Sequence, residues 1–156
     1  DRRPSGSRDS PRAIMNVEDE DASELRFGPE FPDDPECLSD KEVASFLHQR
    51  AQGNTREMKP HLRKAYDYAR RSVGSKDMAS VTDSAVSLRQ ALSELEFSAA
   101  DGTVVQKLQR FEIASLANLM NKDSEPDEAK ALLHSLHRFN DEQLTEMLDV
   151  ISRNEI

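Results

Sequence analysis

The sequence predicts an all-α protein, an orthogonal bundle of six helices preceded by an extended N-terminal arm. Three observations carry this. Apolar residues recur at spacings of three and four through most of the chain after Leu38, helix-start signatures stand in front of several of these stretches, and only one short segment alternates in the strand manner. The chain has 156 residues, of which 36% are apolar, a composition that suits one helical domain with unpacked tails.

Residues 1–21 are rich in Arg, Ser, Pro and acid, with only Ile14, Met15 and Val17 as sizeable apolar groups, and are expected to be disordered. Residues 22–36 form the arm. Leu25 and Phe27 stand two apart between polar neighbours, the spacing of a half-buried strand, and Gly28-Pro29 ends it. A lone strand leaves its backbone groups unpaired and its aromatic side chains uncovered. Leu25, Phe27 and Phe31 therefore either add to the sheet edge of a partner or fold back onto the chain's own helices.

The helical domain spans residues 38–156. Ser39 and Glu42 have the spacing of a reciprocal cap, and Val43, Phe46 and Leu47 give a first helix from about Asp40 to Gln52 a core-facing stripe. Met58, Leu62, Ala65, Tyr66, Ala69 and Val73 mark a second helix that stops at Gly74. The third carries a narrow stripe from Met78 through Val81, Ala85, Leu88 and Leu92 to Leu95. From Lys107 to Met120, apolar groups cover most of the circumference, which predicts a centrally buried helix. The last two helices begin at Pro126 and at the Asn140-x-x-Gln143 cap. Their apolar faces are Ala129, Leu132, Leu133 and Leu136, then Leu144, Met147, Leu148 and Ile151.

Little in the chain suggests catalysis. There is no Gly-rich phosphate loop, no paired-histidine metalloprotease motif and no nucleophile elbow, so no cofactor is expected. His134 and His137 could share a helix face but read as solvent-facing residues, and the acidic runs at 18–21 and 125–128 lack the alternation of a calcium loop. Cys37 is the only cysteine, which excludes an intrachain disulfide and fits a reducing compartment. No stretch approaches the roughly 20 apolar residues of a membrane span, and no apolar signal core opens the sequence, so a soluble, non-secreted protein is expected.

Charge narrows the partners. Four arginines against two aspartates leave +2 over residues 1–16, so the remainder carries −11 of a net −9. A body this acidic repels phosphate backbones. An autonomous nucleic-acid-binding module, with Arg63, Lys64, Arg70 and Arg71 as its phosphate-facing patch, is therefore the rival reading. Tyr66 and Tyr68 could stack on bases beside those arginines, although Tyr66 lies on the core stripe.

Four segments, in order, resemble the family of the fourth subunit of DNA-directed RNA polymerase II, to which the archaeal stalk counterpart is related. They are EDASELRFGPEF at 20–31, LQRFEIASLANL at 108–119, DEAKALLHSL at 127–136 and NDEQLTEMLDVIS at 140–152. His134-Ser135-Leu136 stands where the family usually has Pro-Ser-Leu, and residues 66–73 depart from its aromatic-rich pattern. The resemblance implies an HRDC-like helical domain, a non-catalytic role in the nucleus and a stalk heterodimer with the seventh subunit. That pair would dock on the polymerase core near the clamp and the RNA exit path, support initiation, and contact RNA mainly through the partner's barrel. The equivalent subunit of RNA polymerase III is the nearest alternative. Carried over by position, Leu25, Phe27, Gly28 and Phe31 of the arm and Phe111, Glu112, Leu116 and Leu119 of the central helix are the expected partner-binding residues.

Overall fold

A computed structural model describes residues 20–28, 31, 35–52, 54–98, 102 and 104–154; most of the expected disordered tail lies outside them. Six α-helices stand among these residues: α1 (Asp40–Arg50), α2 (Pro60–Ala69), α3 (Met78–Ser93), α4 (Arg110–Leu119), α5 (Pro126–Leu132) and α6 (Asp141–Asn154). The all-α expectation holds.

Local chemistry fixes several of the helix ends. Ser39 Oγ accepts from the Glu42 N–H while the Glu42 carboxylate accepts from the Ser39 N–H at 2.8 Å, so two otherwise orphan donors at the start of α1 are satisfied reciprocally. Asn140 and Gln143 make the same exchange at α6, at 2.8 and 3.0 Å. Beyond α2 the chain tightens into a 3₁₀ turn at Arg70–Ser72 and leaves through Gly74, whose φ of 66° a residue with a side chain adopts only at a cost.

Helix α3 is the wall of the molecule. Its Val81 packs with Ala44, Ala69 and Val73 in a small cluster beneath α1 and α2. Further along, Leu88 and Leu92 enter a larger cluster that includes Leu116, Leu136, Phe139 and Leu144. This corrects the expectation that the helix around 107–120 is central: Ile113 and Leu116 are buried, but Leu119 is 48% exposed and Phe111 only half-buried. One side of α4 faces the core, and Phe111, Ser115 and Leu119 on another are partly or largely exposed.

Three further departures have local causes. Phe46, expected in the core, turns outward and is 55% exposed. The buried face of α1 runs instead through Ala44, Ser45 and Leu47, and the hydroxyl that Ser45 carries inward is satisfied by Thr82 Oγ1 at 2.5 Å. A two-stranded antiparallel hairpin, β1 (Phe97–Ser98) with β2 (Val105–Gln106), joins α3 to α4 and sets Phe97 edge-on against Phe139 at 5.7 Å. The fifth helix breaks at Leu133, whose φ of −125° and ψ of 90° lie outside the helical region, and a 3₁₀ turn at His134–Arg138 carries Leu136 into the core.

Truncating α3 separates wall from surface. Leu92→Ala should lower the unfolding free energy by about 2–5 kcal/mol in urea titrations, whereas Val86→Ala, on the solvent side of the same helix, should stay within about 0.5 kcal/mol.

Candidate functional site

The arm does not form the expected strand. Asp21 and Arg26 exchange backbone hydrogen bonds, both 2.9 Å, and the residues between them close into a 3₁₀ turn at Ala22–Glu24. The Asp21 carboxylate drives this by accepting from the Ser23 hydroxyl at 2.5 Å and the Ser23 N–H at 2.9 Å, a local bond that competes with extended backbone. Those bonds, the hydroxyl first, hold its pKa below the ordinary value of 3.8. A depressed carboxylate supports the turn above its ordinary range and releases it as pH falls through the lowered value. Leu25 then sits at φ 60°, which interrupts the alternation on which the strand reading rested.

In the chain alone, this turn lies against the 3₁₀ turn at His134–Arg138, so the arm packs on the chain's own helices. Phe27 stacks on Phe31 with ring centroids 4.5 Å apart and meets Phe111 of α4 edge-on at 5.4 Å. Arm and α4 residues singled out separately in the sequence therefore share one aromatic patch. Phe27 and Phe31 remain 38% and 37% exposed, and Leu25 is half-buried. At Gly28 a Cβ would run into the Glu20 carboxylate, so the backbone passes where only glycine fits unless that side chain swings away. Phe111, Ser115 and Leu119 follow at four-residue spacing, which extends the patch along α4 as a partly open stripe.

Glu112 and Leu116 lie on the adjoining, buried face of that helix. Both are fully buried, so neither presents its side chain at the surface. The Glu112 carboxylate accepts two hydrogen bonds from Arg138, at 2.5 and 2.6 Å, one from the Ser135 hydroxyl at 2.5 Å and one from the Gln109 N–H at 2.7 Å. Arg138 also donates to the Ser135 and Lys107 carbonyls and lies over the Phe139 ring at 4.3 Å. The forked pairing matches guanidinium to carboxylate geometry, and the extra donors saturate the anion. Its effect is to clamp the 3₁₀ turn that supports the arm onto the start of α4. The Gln109-x-x-Glu112 spacing is a cap signal that the reading from periodicity does not use, and nothing in the sequence points to Arg138.

The remaining candidates are engaged locally. Arg63 pairs with Asp67 at 2.9 Å and donates to the Thr55 carbonyl, while Arg70 donates to the Lys76 carbonyl. Tyr66 is buried, with its hydroxyl 3.4 Å from His48 Nδ1, and Tyr68 is 62% exposed with the Arg71 guanidinium 5.9 Å from its ring centre. His134 and His137 hold their rings 5.5 Å apart, and His137 Nδ1 lies 2.9 Å from the His134 carbonyl. Among the described residues, no three His, Cys, Asp or Glu side chains are grouped to hold a metal ion, and no helix is long and apolar enough to cross a membrane.

Comparison with known proteins gives two findings. The family model described as RNA polymerase Rpb4 matches residues 15–155, nearly the whole chain. A curated relative, DNA-directed RNA polymerase II subunit rpb4 of Dictyostelium discoideum, is 51% identical over 47 residues, which cover 30% of this chain and 29% of the relative.

Removing the clamp's anion should be costly. Glu112→Ala leaves Arg138 without its partner in a mostly buried site and should destabilise the fold by about 3–5 kcal/mol in urea unfolding. A loss no larger than about 1 kcal/mol, typical of a lone helix cap, would mean that the network contributes little beyond capping α4.

Proposed function

The chain belongs to the RNA polymerase Rpb4 family, and from that premise we propose that it is a non-catalytic subunit of nuclear DNA-directed RNA polymerase II. It pairs with the seventh subunit as a stalk heterodimer beside the clamp, near the RNA exit path. The observation that carries the pairing is the aromatic patch: Phe27 and Phe31, each more than a third exposed, stack on one another, and Phe27 meets Phe111 at one end of a stripe that continues to Leu119. Full burial of an exposed side chain of this kind is worth roughly 1.5–3 kcal/mol, and these side chains, already partly covered, gain less than about half of that each, before the costs of ordering and association.

The two parts of the patch have different tasks. Helix α4 is anchored through Glu112 and Leu116 and offers a fixed platform. The arm rests on that platform through a single turn and is the element free to rearrange onto the partner, with its backbone adding to a sheet edge. RNA contact falls mainly to the partner's barrel. The net charge of −9 opposes phosphate binding, and both Arg63 and Arg70 are already engaged within the chain. Supporting initiation and handling emerging transcript then follow from holding the partner at the exit path.

Co-expression with the seventh subunit tests the arm. Replacing Leu25 and Phe27 together by Asp should weaken the one-to-one complex by at least about a hundredfold while far-UV circular dichroism stays unchanged. Wild-type affinity in that double variant would remove the arm from the interface.

A further inference from the structure

Charge in this protein is unevenly spread. From Arg50 to Lys76 stand eight Lys and Arg against Glu57 and Asp67, so this stretch carries +6 and all other residues together −15. It comprises the last residue of α1, the whole of α2 and the turns on either side of that helix. Arg63 and Arg70 are engaged within the chain, by Asp67 and by the Lys76 carbonyl. The cations that stay open are in register with an aromatic ring. His61, Lys64, Tyr68 and Arg71 follow at spacings of three, four and three, which aligns them along one face of α2 and the 3₁₀ turn that ends it. All four are exposed, Tyr68 to 62%, and the Arg71 guanidinium stands 5.9 Å from the centre of its ring. Among the described residues, Lys64 has no acidic partner and the Arg71 N–H donors have no acceptor. His61 also lines a cavity of about 580 Å³ between the end of α1 and the start of α2, with Arg50 and Lys59 in its walls and Glu57 the one acid in its described lining.

A tyrosine left in water between two cations adds nothing to the core. Cations that track a phosphate chain, with a ring open to take a base, are the combination that holds a nucleic-acid strand whose bases are unpaired. We propose that this face binds single-stranded nucleic acid, with phosphates at Lys64, Arg71 and the cavity mouth beside Arg50 and Lys59, and one base stacked on Tyr68. The −15 carried by the other residues repels any strand that runs past the patch, so the contact is short and supplements the partner's barrel. An acidic polypeptide would satisfy the cations but leave the ring without a task. The surface is separate from the arm and Phe111 and does not depend on the seventh subunit; only the identity of the strand as emerging transcript rests on the function proposed above.

The test uses the full chain and fluorescein-labelled single strands of about 15 nucleotides, oligouridylate and the matching DNA, with anisotropy read at several salt concentrations. Lys64→Gln with Arg71→Gln should weaken binding by about tenfold or more and lower the slope of log affinity against log salt by about 1.4, as two lost phosphate contacts require. Tyr68→Ala should weaken it by about five- to tenfold without changing that slope, and Tyr68→Phe should bind as the wild type does. These side chains are exposed, so far-UV circular dichroism should not change. The variant with Leu25 and Phe27 replaced by Asp should bind the strand normally, which keeps this outcome apart from the fate of the heterodimer. No measurable binding at low salt, or binding indifferent to Lys64, Tyr68 and Arg71, would overturn the proposal. Equal competition by an oligoglutamate peptide, with Tyr68→Ala silent, would reassign the surface to acidic polypeptides. Tighter binding of RNA than of DNA supports the transcript as the source of the strand, and the reverse order would overturn that assignment.

Discussion

The carboxylate of Glu112 is the constraint on which the rest of the molecule's functional surface depends. It is a full negative charge with no solvent access, and such a group persists inside a protein only when every acceptor site is used. Arg138, Ser135 and the Gln109 N–H use them, and in doing so join segments 26 residues apart. The join fixes where the chain turns after α5, which way α4 begins, and what surface is left beneath the arm. An apolar residue of the same size could fill the volume but could not dictate the angle at which these parts meet.

Around that clamp the fold divides its labour along α3. The small cluster under α1 and α2 has few large side chains, while the larger one gathers residues from α3, the hairpin, α4, α5 and α6. Cooperative rigidity is therefore concentrated in the C-terminal half, where Ser84 also ties α3 to the last turn of α6 through the Asn154 carbonyl. A platform for a partner is best built on the better-packed side, and that is where the aromatic patch lies.

What could be read from the sequence was whatever is encoded within one turn of helix. The caps at Ser39 and Asn140, the stripe of α3 and the stop at Gly74 all came through because both partners of each interaction lie within four residues. What escaped depends on distant neighbours. Ser45 faces inward on α1 where its hydroxyl meets Thr82, on another helix, and Phe46 faces out. Asp101-Gly102 between Phe97 and Val105 is a hairpin signal, but strands of two residues leave no alternation to detect. At the site, the chosen residues of the arm and α4 do meet, yet periodicity alone could not tell the open side of α4 from the side that Glu112 and Leu116 bury. The arm's turn was hidden in the side chain of Asp21, a group that reads as ordinary acidic surface.

Leu25 gives the arm a mechanical character of its own. A branched aliphatic residue held at φ 60° stores strain of about 1–2 kcal/mol, since its Cβ crowds the neighbouring carbonyl oxygen. Most residues at such positions are glycine or asparagine, which carry the conformation at little cost. Here the strain is returned as soon as the backbone straightens, and it offsets part of what is lost when the Asp21 hydrogen bonds open. The arm therefore behaves as a lightly cocked latch: local polar bonds keep it shut, and its own backbone pushes toward the form in which it could reach outward.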